Sequence, residues 1–352
     1  MAKKNIIVIG ASAGGYDALL KLLGGLQEDI DAAIFIVWHM SPEIKGFLPN
    51  AINKVTKLIA ANATDREAIT TGHIYVAPPD RHLIVEHGRM RITKGPKENR
   101  FRPAVDPLFR SAAYSYGPRV IGIILSGALD DGTAGLWAIK EQGGTAIVQD
   151  PNEAEVKSMP ENALQQVNVD YCLPVSEMPE LLYRLTQESA AVDNGNQTIN
   201  PIMEREVQIA TEGEAALTNV TPIGVPTNIT CPECSGVLSA IIENDRVRYR
   251  CHTGHAFSAD SLLASVGETI EKNLWQVVRS IKESIFLLNH IGDHFAEANN
   301  PRLAALYFNK SKEASKRVKL VQQALQTHEH MTTESIEYEA EKPKGSPVGS
   351  NE

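Results

Sequence analysis

The sequence predicts an α/β protein: a mostly parallel, doubly wound sheet with a β-hairpin insertion, followed by a small cysteine–histidine module and an antiparallel helical hairpin. Three observations predict it. Across residues 1–187, continuous apolar runs alternate with amphipathic stretches, the pattern of strands covered on both faces by helices. Three of the four cysteines crowd between positions 231 and 251, next to two histidines. Beyond residue 259, apolar residues recur at steps of three and four, which is one stripe on a helix.

In order, residues 5–10 (NIIVIG) read as the first buried strand and 17–26 as a helix. Residues 32–39 (AAIFIVWH) form a second strand ending at His39. GHIYVAPPD and HLIVEHGRMRIT add strands, the latter folding at His87-Gly88 into a hairpin. VDPLFRSAAYSYG is helical and RVIGIILSG is another buried strand. Helix 132–142, strand GGTAIVQD, helix 160–167, short strand VDYCLPV and helix 176–187 complete the region.

The composition then shifts. Residues 188–228 are rich in Asn, Thr, Gly and Pro and read as a linker with local order around 204–217. The cysteine–histidine module occupies 229–258. Leu262, Val266, Ile270, Leu274, Val277, Ile281, Ile285 and Leu288 give one helical stripe, and Asn299-Asn300-Pro301 breaks it. A second stripe has Leu303, Leu306, Ala314, Val318, Val321 and Leu325, so 259–330 should pair as a hairpin. The tail 331–352 lacks apolar content and is expected to be disordered.

Of 352 residues, 34 are Lys or Arg and 43 are Asp or Glu, for a formal charge of −9. That balance argues against nucleic acid or an anionic membrane as principal partner. No apolar run approaches the ~18 residues of a membrane span. The N-terminal apolar run is too short for a signal-peptide core. A cytoplasmic protein is expected, and the clustered cysteines fit a metal site better than a secreted disulfide framework.

Residues 10–14 (GASAG) match G-x-S-x-G between a strand and a helix, the setting of a nucleophile elbow. The same turn can bind phosphate at a helix N-terminus. As a dinucleotide fingerprint it is poor, because Ser12 replaces the second glycine. His39 ends the second strand, and Asp131 follows the strand RVIGIILSG. In a parallel sheet all carboxyl ends share one edge, so Ser12, His39 and Asp131 can converge. His39 would then take the serine proton and Asp131 would orient the imidazole. The bland alternatives are a strand-capping His39 and an Asp131 that caps the next helix, although Asp130 is the better candidate for the cap.

The segments IGASAGGYDAL, WHM, YVAPPDRHL, PAVDPLFRSAA, LSGALDDGTAGL and SMPENAL occur here in the order seen in the catalytic domain of the chemotaxis protein-glutamate methylesterases (CheB). The resemblance covers about residues 3–187. It implies hydrolysis of glutamate γ-methyl esters on the cytoplasmic helical region of a methylated chemoreceptor, without a catalytic cofactor, and deamidation of receptor glutamines. By motif match it carries over Ser12 as nucleophile, His39 as general base and Asp131 as orienting acid. Two positions depart from the family: Ala13 stands where threonine is common, and Ala128-Leu129 where glycine and methionine are frequent. Typical members begin with a receiver domain, and few residues here precede the first strand, so control by phosphorylation is not assumed. Arg81, Arg102 and Arg110 are candidates to attract an acidic receptor surface. The alternative reading is a non-catalytic receptor-binding scaffold, with the C-terminal region recruiting a signalling partner.

The module reads C-x2-C-x16-C-x3-H, through Cys231, Cys234, Cys251 and His255. Soft thiolates with an imidazole on two tight turns suit tetrahedral, structural zinc. His252 competes with His255 as fourth ligand. Residues 237–250 between the ligand pairs read as a β-hairpin turning at Asn244-Asp245.

Overall fold

The protein is described by a computed structural model covering residues 3–39, 47–191, 200–212, 223–243, 246–329, 331–332 and 336. Two compact units result, Met1–Ser261 and Leu262–Glu352. The first contains β1 (Ile6–Ala11), α1 (Gly15–Gly24), β2 (Ala33–Trp38), α2 (Phe47–Ile52), β3 (Ile59–Asn62) and β4 (His73–Val76). It continues with the hairpin β5 (His82–Glu86) and β6 (Arg89–Thr93), then α3 (Val105–Tyr116), β7 (Val120–Ile124), α4 (Thr133–Glu141) and β8 (Thr145–Gln149). Next come α5 (Ser158–Gln166), β9 (Tyr171–Leu173), α6 (Met178–Gln187) and α7 (Pro201–Glu212). A second, four-stranded sheet follows: β10 (Val225–Thr230), β11 (Val237–Glu243), β12 (Arg246–Cys251) and β13 (Ala256–Ser258).

The main sheet has seven strands in the order β3-β4-β2-β1-β7-β8-β9, every pair parallel. Alternation along β1 shows why both faces are covered. Ile6 and Val8 pack with Val105, Leu108 and Phe109 of α3 and with Leu136 and Ile139 of α4. Ile7 and Ile9 pack on the other face with Leu19, Leu22 and Leu23 of α1 and with Leu181, Leu182 and Leu185 of α6. A strand apolar at every position is the sequence signal of such two-sided burial. The chain leaves β1 for β2 on one side and β7 lies on the other, so the order reverses at β1 and a crevice opens above its carboxyl end.

The hairpin turns at His87-Gly88 as expected, pairing Glu86 with Arg89. Two elements lack a clear sequence signal. β3 is a four-residue edge strand with only Ala60 buried, its apolar run small and short, and α2 is a single short helix. The segment expected to be a linker contains α7, whose Met203, Glu206, Ile209 and Ala210 are buried. Residues 213–222, 244–245 and most of the expected tail lie outside the described residues.

The second unit is built from α8 (Ala259–Glu297), which starts at the unit boundary, and α9 (Pro301–Gln326). The Asn300 side chain accepts from the Leu303 amide and caps α9. The rings of Phe295 and Tyr307 stack 5.5 Å apart beside the turn, and His328 reaches the Gly267 carbonyl at 3.0 Å, so the helices run antiparallel. The expected stripe needs a correction. Val278 is 2% exposed, whereas Ile270 and Val277 of the stripe are 40% and 45% exposed. The stripe advances about 3.7 residues per turn against 3.6 for the helix, so over its length it drifts about 80° away from one partner.

Candidate active site

Ser12 leaves the sheet directly after β1. Its amide donates to the Ser126 carbonyl at 3.0 Å, and its carbonyl accepts from Trp38 Nε1 at 3.0 Å, so both neighbouring strand ends fix the turn. Gly14 has φ +68°, left-handed backbone that lets the chain swing at once into α1. Gly127 lies so close that a Cβ there would stand 2.8 Å from Ser12 Cβ and 2.0 Å from Met159 Sδ. The start of α1 directs its positive dipole end toward this turn, where an oxyanion would form.

His39 follows β2, its amide bonded to the Ala11 carbonyl at 3.1 Å. Its Nδ1 lies 3.1 Å from Ser12 Oγ and its Nε2 lies 2.9 Å from Asp131 Oδ2. The side chains of His39 and Asp131 are 4% and 2% exposed. Asp131 comes from the loop between β7 and α4. Its Oδ2 also accepts from the Val105 amide at 2.7 Å, and its Oδ1 accepts from Asn99 Nδ2 at 2.9 Å and the Asp106 amide at 3.3 Å. An acceptor-only carboxylate facing Nε2 puts the imidazole proton there and leaves Nδ1 free to accept from the serine. The two ring nitrogens thus exchange the places they hold in the chymotrypsin-type triad.

Three buried aspartates meet here and their environments separate them. Burial pushes the Asp131 carboxyl up, but His39, the Val105 amide and Asn99 prevail and hold it below the usual range. Asp106 is pushed up to about 7, by burial first and then by the charge of Asp131. Asp130 is pushed up to about 8, chiefly by burial. Asp130 does not cap α4 with its side chain; Gly132 occupies the cap, and the Asp130 carboxyl accepts from Ser258 Oγ at 2.7 Å. One charged aspartate serves the histidine while two neighbours are held toward their neutral forms.

Two contributors escaped the sequence reading. The Phe101 ring stacks on His39 with centroids 3.7 Å apart and planes 10° from parallel, which fixes the imidazole plane. Asn99 donates both amide hydrogens, to Asp106 Oδ2 at 2.8 Å and to Asp131 Oδ1. Both sit in a loop without apolar periodicity, and only the motif PAVDPLFRSAA just after it marked the region. Of the arginine candidates, Arg110 is ruled out as a receptor contact: its side chain is 3% exposed and pairs with Glu98 and Glu206. Arg102 is taken up by Asp80 and the Gly95 carbonyl, while Arg81 is 41% exposed.

In the module, the ligand atoms of Cys231, Cys234, Cys251 and His255 lie within 4.8 Å of one another. Cys234 Sγ is 3.7 Å from Cys251 Sγ, and His255 Nδ1 is 3.8 and 3.6 Å from Cys231 and Cys251 Sγ. The edges of a tetrahedron built on zinc–ligand bonds of about 2.0–2.3 Å are about 3.5–3.8 Å, so these three separations match such an ion and the cluster could hold one. His252 instead sits against Gly236, where a Cβ would meet its ring at 2.3 Å.

A Ser–His–Asp contact set at the carboxyl rim of a doubly wound parallel sheet defines a serine-type hydrolase. The family model described as CheB methylesterase matches residues 7–182, half of the chain, and the chain belongs to that family. A protein of Leptospira interrogans, named for protein-glutamate methylesterase/protein-glutamine glutaminase activity, is 39% identical over 184 residues, covering 52% of this chain and 95% of that protein. A protein-glutamate methylesterase/protein-glutamine glutaminase of Anaeromyxobacter dehalogenans is 37% identical over 53% of this chain, which spans only 54% of that relative. The crystal structure of the Thermotoga maritima CheB methylesterase catalytic domain aligns with a TM-score of 0.50 and 34% identity, covering 53% of this chain and 99% of that one.

Proposed function

We infer that the chain is a protein-glutamate methylesterase acting on methylated chemoreceptors in chemotaxis-type signalling. The observation that carries the mechanism is one imidazole bridging Ser12 and Asp131, at 3.1 and 2.9 Å. Ser12 Oγ attacks the γ-ester carbonyl while its proton passes to His39 Nδ1. Asp131 stabilises the imidazolium through Nε2–H. His39 then protonates the departing methoxide, methanol leaves, and a glutamyl–serine ester remains. Water, losing a proton to His39, hydrolyses that ester and frees the glutamate carboxylate and Ser12. The same cycle on a receptor glutamine releases ammonia. Among the described residues no helix is long and apolar enough to cross a membrane. A cytoplasmic protein meeting the cytoplasmic helical region of its receptor is the setting that fits this substrate.

The Cys231, Cys234, Cys251 and His255 cage is assigned to structural zinc, because four protein ligands leave no open position for chemistry. Metal analysis of the isolated chain, expected to give one zinc per chain, tests it. We divide the chain by function into 1–187 for catalysis, 229–258 for zinc, 259–330 as the hairpin and 331–352 as a tail, with 188–228 joining catalysis to zinc through the packed helix α7. The hairpin exposes Trp275, Phe286 and Leu287 and is the region left for a signalling partner.

Replacing Ser12 by alanine tests the main reading. Methanol release from methylated receptor should vanish while the circular dichroism spectrum stays unchanged. Demethylation that persists in the variant would overturn it.

A further inference from the structure

The module lies beside the loop that carries Asn99. The Asn99 amide donates to the Ala256 carbonyl at 2.8 Å, and the Ala256 amide donates to the Lys97 carbonyl at 3.2 Å. The Ser258 amide and the Ser261 hydroxyl donate to Asn99 Oδ1 at 2.9 and 3.1 Å. Asn99 Nδ2 spends its two hydrogens on Asp106 and Asp131. Every hydrogen-bonding position of this amide is therefore filled, and the side chain has one orientation: oxygen toward the module, nitrogen toward the aspartates. Asn99 is 4% exposed and has φ +48°, a backbone state that asparagine tolerates better than most residues.

A buried ion cluster sets the distance between module and sheet. Glu98, the neighbour of Asn99, pairs with Arg110 of α3 and Arg250 of β12. Glu206 of α7 pairs with Arg110, Arg248 and Arg250. The strand β13 that meets Asn99 begins immediately after His255, a member of the Cys/His cage. Order in the cage thus reaches Ala256 and Ser258, then Asn99, then Asp131 and the imidazole it holds.

We propose that Asn99 is a positioning residue for the Asp131 carboxylate, and that the metal-bound Cys/His module locks Asn99 in place, so that ester hydrolysis depends on the module. This rests on the methylesterase reading of the site. With Asn99 absent, Asp131 loses a donor and presents more negative charge to His39, which makes the imidazole more basic. The acid limb of the pH–rate profile then moves to higher pH. The titratable groups facing the His39–Asp131 pair are Asp106 of α3, Asp130 of the same loop and His82 of β5, with Glu98 and Arg110 behind them. Of these, Asp106 is touched by the substitution: it loses the same Nδ2 donor, which favours its neutral form further and so adds no charge beside His39.

The test uses the full chain, with Ser12→Ala as the reference that separates failure of the methylesterase reading from failure of this one. Asn99→Ala and Asn99→Asp are compared with the parent for kcat and KM on methylated receptor across pH. Asn99→Asp keeps the acceptor for Ser258 and Ser261, so at least one variant retains the docking contact. Expected are a fall in kcat of about 10–100-fold with KM little changed, and an acid limb displaced upward in both. Stripping the unmutated chain of zinc with a chelator should displace the limb in the same way and speed amide hydrogen exchange in residues 97–101. A limb that stays put in both variants overturns the positioning role, even if kcat falls. A stripped chain with unchanged profile and exchange overturns the dependence on the module.

Discussion

Glu206→Gln is the most demanding stability test of how the module joins the catalytic sheet. The Glu206 side chain is 2% exposed, and its oxygens meet Arg110 at 3.3 Å, Arg248 at 2.8 Å and Arg250 at 2.8 Å. With Glu98 and Glu243 the cluster holds three carboxylates against three guanidiniums. Burial raises the Glu206 carboxyl, but the three arginines overcome it and hold the group well below the usual range. Glutamine keeps the shape, leaves one net positive charge buried and turns an amide NH2 toward guanidinium hydrogens. Exposed pairs contribute about 0–1 kcal/mol, whereas breaking a buried pair costs about 3–5 kcal/mol. Exposures of 2–3% at Glu206, Arg110 and Arg250 place this cluster in the second class. The Lys310–Glu313 pair, 66% and 51% exposed, supplies the control in the first. Urea unfolding is followed by fluorescence of Trp38 and Trp137 in a Trp275→Phe background. At a slope near 3 kcal/mol/M the loss is a midpoint shift of about 1–2 M. The stabilisation of a depressed carboxylate is present above its unfolded pKa of about 4.3 and is lost as pH falls through its folded value. The gap between parent and variant should therefore close in acid. A shift no larger than that of Lys310→Ala, or one that persists unchanged in acid, would refute the reasoning.

Two further outcomes follow from the aspartates. Asp131→Ala removes the group that orients His39 and should lower kcat by about 10⁴-fold with KM little changed, read as methanol release from methylated receptor; a loss below tenfold would mean another group orients the ring. Asp130 and Asp106 have folded values of about 8 and about 7, raised above the unfolded ~3.9, so their contribution is fully present below pH ~4 and is lost as pH rises through about 7 and 8. The thermal midpoint should fall between pH ~4 and ~8 and level off above, and Asp130→Asn should flatten the upper part of that fall; a midpoint that rises from pH ~5 to ~8 contradicts the assignment.

The residues legible in the sequence share a physical trait. Ile6 to Ile9 and Ala33 to Val37 are apolar without alternation, so their strands announce two-sided burial locally. Once the strands are parallel, their carboxyl ends lie on one edge, and Ser12, His39 and Asp131 are implied as neighbours although residues 12 and 131 are far apart. The cage was legible for a related reason, since thiolate pairs at close spacing have few other uses. What stayed hidden depends on packing between segments that share no period. The amide of Asn99 meets partners 32 residues away at Asp131 and 159 residues away at Ser258. Nothing in ENRFRP marks one asparagine as a bridge, because its meaning comes from β13 arriving beside it. The same holds for Arg110, whose charge on a helix read as a surface feature until Glu206 and Arg250 closed over it. A polar residue in a loop acquires its role from the neighbour that satisfies it, and here that neighbour belongs to a module a whole domain further along the chain. It follows that the cysteine–histidine segment, although its own signal is local, is the part of the sequence whose loss should be felt farthest from where it is written: at the imidazole of His39.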